Sequence, residues 1–218
     1  LKTDRTQEIK SIIAEIEDFS ANSSLNEFEV EFAGSAYTNM IFSGLILEGQ
    51  VLSLAISLVG VFLLLSLLFK SFAAGLIGVL PIAVTAVVNF GLMGGLGVSL
   101  NTTTALISSI AVGMGIDYAI HLLSRYQYYG RRGFSKAETA DRAINLSGRA
   151  ITFNAVVVIA GFMVLTFSEF PPNRELGWLV STALFVSLIG TLTLAVALID
   201  IMEPKFIFNK RKDDQNEE

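Results

Sequence analysis

Five long apolar runs constrain this chain more than any other feature. They cover residues 51–69, 72–93, 102–126, 150–167 and 177–201. At about 1.5 Å per helical residue the first alone spans about 28 Å, close to the thickness of a bilayer's apolar layer. Inside lipid every backbone N–H and C=O must find its partner within the protein, so isolated runs of this length fold as helices. The composition agrees, with 52% hydrophobic and 16% charged residues, against roughly 25% charged in soluble domains. The chain has no cysteine, which excludes disulfides and thiolate metal sites, and its single histidine, His121, excludes a histidine-rich metal site. The net charge is −5, no basic face for a nucleic acid is visible, and no cofactor is implied.

The runs also divide the chain. Before them, Ile9, Ile12, Ile13, Ile16 and Phe19 recur at helical spacing over residues 6–20. Phe28, Val30 and Phe32 then alternate with acids, which predicts a half-buried strand. About thirty residues cannot build a core alone. Residues 1–48 therefore read as the end of an extracytoplasmic (periplasmic) α/β domain whose other strands lie upstream. Residues 49–204 read as a five-helix transmembrane domain and 205–218 as a cytoplasmic tail, charged and expected to be disordered from 209 onward. The first residue is Leu1 and no signal peptide follows, so the chain reads as a piece of a longer polypeptide.

Lys and Arg set the orientation. Lys70, the loop between the third and fourth runs (Arg125, Arg131, Arg132, Lys136, Arg142, Arg149) and the tail are basic, while the opposite loops hold only Arg174. The N-terminal segment is thus expected outside and the C-terminal tail in the cytoplasm of a cell (inner) membrane. Within the basic loop, Ser135 followed by Glu138 predicts a capping box and a short helix over residues 135–146 on the inner surface.

Asp117 lies near the middle of the third run. A carboxylate at mid-bilayer costs roughly 2.5–3.5 kcal/mol on insertion scales. Two readings of it stand. One is a structural carboxylate held permanently by a hydroxyl or amide. The other is a proton carrier, since burial pushes a carboxyl's titration upward toward neutrality. A charge crossing 100 mV releases about 2.3 kcal/mol, and each pH unit adds about 1.4 kcal/mol.

His121 shares a face with Asp117, four residues on, and stands either in a local hydrogen bond or in the proton path from the cytoplasm. Tyr118 points about 100° away from Asp117 around the helix, toward a group on another helix. Ser109 with Gly113, and Ala111 with Gly115, are small residues four apart that let helices approach closely. This places the third helix at the bundle centre, with Asp117 facing protein or trapped water. Pro81 is expected to kink the second helix. Asn89 and Asn154 are expected to hydrogen-bond between helices.

The run GMGIDYAIHLLSRY (residues 113–126) resembles the charged central helix of the RND transporter superfamily, most closely its MMPL branch of lipid and hydrophobe exporters. FKSF (69–72), NTTTA (101–105) and RELG (174–177) are similar to family features at corresponding places. The resemblance covers about residues 34–204. It implies a two-fold repeated protein, each half having one helix, an extracytoplasmic domain and five further helices. This chain resembles the C-terminal transmembrane half, an all-α bundle preceded by the end of the α/β domain. In that branch each half contributes an adjacent Asp and Tyr, each Asp pairing with the other half's Tyr, so the resemblance makes Asp117 and Tyr118 this half's pair. Drug-efflux members carry a Lys on the corresponding helix, and residues 108–123 contain none.

The resemblance implies proton-driven export of a lipid-like or hydrophobic cargo, with this chain supplying one half of the relay. It also implies a non-enzymatic protein, a proton antiporter. Its expected partners are the N-terminal half or a second copy, the cargo, and periplasmic or membrane accessory proteins. A sterol-sensing-like lipid sensor or scaffold without proton flux is the alternative. An intramembrane hydrolase is disfavoured, because His121 near Ser124 has no well-placed acid to orient it and no visible oxyanion site.

Overall fold

The computed structural model describes residues 3–22, 31–98 and 102–208. These are helical with short connections, and no strand occurs among them. The strand expected at residues 28–32 falls mostly outside the described residues, and Glu31 and Phe32 have no regular structure. The helix expected at 6–20 lies within α1 (Thr3–Asn22), whose apolar residues Ile12, Ile16 and Phe19 are exposed.

Helix α2 (Ser35–Leu68) begins well before the expected span, although only Gly44–Leu68 is apolar enough to cross a membrane. Its 34 residues reach about 51 Å, so its first turns extend past an apolar layer of about 30 Å. Glu48 and Gln50 precede the apolar run at that end. Polarity limits the depth at which a helix sits in lipid but does not break its hydrogen bonding.

A tight turn follows, with Lys70 in the left-handed region (φ 50°) and the Ser71 N–H donating to the Ser66 carbonyl at 2.9 Å. Helix α3 (Phe72–Gly95) continues through Pro81. Helix α4 (Thr102–Arg131) packs against α2 and α3, and against α7 (Pro171–Gly190). It is the central helix, as the small residues along it predict.

The fourth span differs from expectation. The Ser135 capping box is present, with the Glu138 N–H donating to Ser135 Oγ at 3.3 Å and the Ser135 N–H donating to Glu138 Oε2 at 3.0 Å. It starts α5 (Lys136–Ala143), which is no separate surface helix. A π-helical turn at Ile144–Gly148 carries it straight into α6 (Arg149–Val164), so that one element runs from Lys136 to Phe167. The wider turn absorbs an extra residue without ending the helix.

A second π turn, Thr191–Ala195, joins α7 to α8 (Val196–Met202). The two wide turns meet: a Cβ on Gly148 would stand 3.7 Å from Leu192 Cδ2. With these junctions the described residues form five membrane-length elements, Gly44–Leu68, Phe72–Gly95, Thr104–Arg131, Lys136–Phe167 and Pro171–Met202.

At the end of the bundle that carries Arg131, Glu203 turns the chain (φ 40°) into the short helix α9 (Lys205–Phe208). Phe206 and Ile207 are buried there, and the Arg131 and Gln127 side chains donate to the Phe206 carbonyl at 3.3 and 3.4 Å. Lys136 spans from α5 to Asp200 and Glu203 at 3.1 and 2.8 Å.

Candidate functional site: the open face of the central helix

Helix α4 has two unlike faces. On one, Ile107, Ala111, Gly115, Tyr118, Leu122 and Tyr126 are buried. Gly115 is small for a steric reason: a Cβ there would lie 3.0 Å from Ile82 Cγ1 and 3.1 Å from Ser187 Oγ. On the other face Ser109, Gly113, Asp117, His121, Ser124 and Arg125 are all exposed. Of the two small pairs read from the sequence, Ala111 and Gly115 are buried, and Gly115 meets α3 and α7. Ser109 with Gly113 lies uncovered, and a Cβ on Gly113 would meet nothing within 4 Å.

Asp117 therefore sits at the middle of the Thr104–Arg131 span, on the face this chain leaves open. Among the described residues neither Asp117 nor His121 makes a side-chain hydrogen bond or ion pair. His121 is held through its backbone, whose carbonyl accepts from Ser147 Oγ at 3.5 Å. The structure brings Asp117 and His121 onto one face and separates Tyr118 from them. Tyr118 is 1% exposed, in the apolar cluster of Leu65, Ile77, Leu122 and Leu188. Its hydroxyl has no partner among the described residues.

The remaining expected residues are placed as follows. Pro81 is buried in α3 with Gly190 of α7 against it, and its carbonyl accepts from Thr85 Oγ1 at 2.8 Å. Asn89 is buried with its Oδ1 unpartnered among the described residues, and Asn154 is exposed.

Two features were missed in the sequence. Gln50, Ser53 and Ser57 of α2 line a shallow surface groove with Ser109 and Val112 of α4. Their spacing of three and four residues inside an apolar run was a readable signal. Ser187 and Thr191, four apart on α7 and the π turn after it, are buried with unpartnered hydroxyls. A serine or threonine in an apolar run normally bonds back to its own helix, so nothing in the sequence marks these two out.

Five membrane-length helices among the described residues, the central one carrying a mid-span carboxylate, make this a multi-pass membrane protein. The chain belongs to the MMPL family, whose profile matches residues 1–216. It is 29% identical over 175 residues to the putative membrane protein MJ1562 of Methanocaldococcus jannaschii, covering 80% of this chain and 45% of that protein. It is 28% identical over 159 residues to the probable transport protein MmpL12 of Mycobacterium tuberculosis, covering 71% of this chain and 14% of the relative. To the sulfolipid-1 exporter MmpL8 of the same organism it is 29% identical over 107 residues, 49% of this chain and 10% of that protein. The chain spans less than half the length of these curated relatives.

Proposed function

We propose that this chain supplies the C-terminal transmembrane half of a proton-driven exporter of lipid-like or hydrophobic cargo. The observation that carries the reading is Asp117, at mid-span on the one face of the central helix that its own bundle leaves uncovered. An ionisable group at that depth normally faces a bundle interior or a water-filled cavity. The proposed cover is the other half of the transporter, or a second copy, laid against Ser109, Gly113, Asp117 and His121.

The proposed cycle is electrostatic. Ionised Asp117 draws donors from the covering half across the seam. Protonation removes the charge and weakens those bonds, so the two bundles shift. The proton motive force supplies about 2.3 kcal/mol per charge per 100 mV, enough for a modest shift in a conformational equilibrium. His121 and Arg125, toward the basic end of the face, form the proton's cytoplasmic side in this reading. Residues 1–48 are assigned to the extracytoplasmic domain and residues beyond 204 to the cytoplasm, supported by the distribution of basic loops. The name of MmpL8 as a sulfolipid exporter supports a lipid cargo.

The test replaces Asp117 by Asn in the intact transporter in cells. Surface lipids are compared by mass spectrometry between wild type, Asp117→Asn and a deletion strain. We expect the variant to insert normally and to lose the same exported species as the deletion. A surface profile equal to wild type would overturn the reading.

A further inference from the structure

The turn from α4 into α5 carries a ladder of rings and guanidinium groups. The Arg132 guanidinium lies over the Tyr128 ring, 4.0 Å from its centroid, and the Arg142 guanidinium lies over the Phe134 ring at 4.3 Å. Tyr129 joins the two, meeting Tyr128 edge-on at 5.1 Å and Phe134 edge-on at 5.8 Å between centroids. Two cations on flexible stems are thereby held flat against aromatic faces. A stacked guanidinium keeps its N–H donors in its own plane, pointing sideways from the ring, in the fork that fits two phosphate oxygens.

Those donors are unspent. Among the described residues neither Arg132 nor Arg142 makes an ion pair or a side-chain hydrogen bond. The acids of this region are engaged elsewhere. Glu138 accepts from the Ser135 N–H and Oγ at 3.0 and 2.8 Å, and Asp141 accepts from Asn145 Nδ2 at 2.8 Å. Asp200 and Glu203 hold Lys136, and Arg131 is turned to the Phe206 carbonyl. Arg132, Arg142 and Tyr128 are exposed.

The ladder also sits where lipid headgroups lie. Arg132 directly follows the Thr104–Arg131 span, and Arg142 is in the second turn of Lys136–Phe167. That element has 32 residues and reaches about 48 Å, against an apolar layer of about 30 Å. Its first turns, KAETADRA, are polar and stand beyond that layer. Tyrosine rings favour the same boundary.

We propose that this ladder is a binding platform for anionic phospholipids of the adjoining leaflet. Each guanidinium takes one lipid phosphate through paired N–H donors, while Tyr128, Tyr129 and Phe134 hold both guanidiniums in place. The selection is by charge complementarity: an anionic headgroup meets two uncompensated cations, whereas a zwitterionic headgroup brings a cation of its own that they repel. The platform fixes the α4–α5 turn against the membrane surface and does not depend on the role of Asp117. Basic residues at a membrane boundary attract anionic lipid even without a fixed site, so the test separates stacking from charge.

The intact transporter is purified in detergent, and native mass spectrometry counts the lipid it retains when phosphatidylglycerol or phosphatidylcholine is added. Wild type should retain phosphatidylglycerol in preference, and excess inorganic phosphate should not displace it. Arg132→Gln and Arg142→Gln should each weaken retention by at least about fivefold. Tyr128→Leu and Phe134→Leu, which keep every charge, should weaken it too, and Tyr128→Phe, which keeps the ring face, should bind as wild type. Lys70→Gln removes a cation at the same end of the bundle that stacks on no ring, and should leave retention unchanged. Equal retention of the two lipids by wild type overturns the proposal. So does a loss in Lys70→Gln equal to that in Arg132→Gln, or wild-type retention in Tyr128→Leu and Phe134→Leu.

Discussion

Gly130 is where α9 docks onto the central helix, and a methyl group there should release α9. A Cβ on Gly130 would stand 2.5 Å from the Ile207 carbonyl oxygen, 2.6 Å from Ile207 Cγ2 and 3.0 Å from the Ile207 carbonyl carbon. Two of these atoms are backbone, so no rotamer change relieves the overlap. Docking buries Phe206 and Ile207, worth about 1.5–3 kcal/mol each. The two donors on the Phe206 carbonyl add about 1 kcal/mol apiece.

Against this, ordering the four residues of α9 costs about 1–2 kcal/mol per residue. The opposing sums nearly cancel, while overpacking costs about 1–3 kcal/mol. Gly130→Ala should therefore detach α9 and leave the five-span bundle folded. Hydrogen–deuterium exchange reads this directly, because the Ile207 and Phe208 amides both donate to the Pro204 carbonyl, at 2.9 and 3.3 Å. Those two amides should lose protection in the variant, with the rest of α4 unchanged. Undiminished protection would refute the reasoning.

Two further substitutions test the packing. Gly177→Ala places a Cβ 2.8 Å from the Phe162 carbonyl oxygen and 2.9 Å from the Thr166 nitrogen. Both are backbone atoms, so α6 and α7 must separate, and unfolding in detergent should show a loss of about 1–3 kcal/mol. Ser135→Ala removes the N-cap of the long fourth element and should cost about 0.5–2 kcal/mol of local helix stability. Faster amide exchange should be confined to the first turn of α5, since α6 continues from it without a break.

The sequence made the membrane helices and the central place of α4 legible because both follow from strong, additive signals. Apolar length dictates a span, and Gly115 with Ala111 dictates close approach. The ends of the spans were less legible. Hydropathy reports where lipid ends, whereas α2 and the fourth element keep their hydrogen bonding well past that point. The π turns at Ile144–Gly148 and Thr191–Ala195 leave no local mark, since they arise from fitting one helix against another.

At the candidate site, the shared face of Asp117 and His121 came directly from a spacing of four. Helical geometry also gave the divergence of Tyr118 from Asp117. That Tyr118 is covered by its own half depends on where α2, α3 and α7 sit, which no spacing within α4 reveals. Ser187 and Thr191 were hidden for the same reason. Three of the hydroxyls on that element, those of Ser181, Thr182 and Thr193, bond back to their own helix, and only the packed bundle separates these from Ser187 and Thr191.

The most direct measurement is the equilibrium titration of Asp117 in the intact transporter within a lipid bilayer, read from its carboxyl infrared band. The account predicts reversible gain and loss of that band across the range of acidity found on the two sides of the membrane. A carboxyl fixed in one ionisation state throughout that range would contradict it.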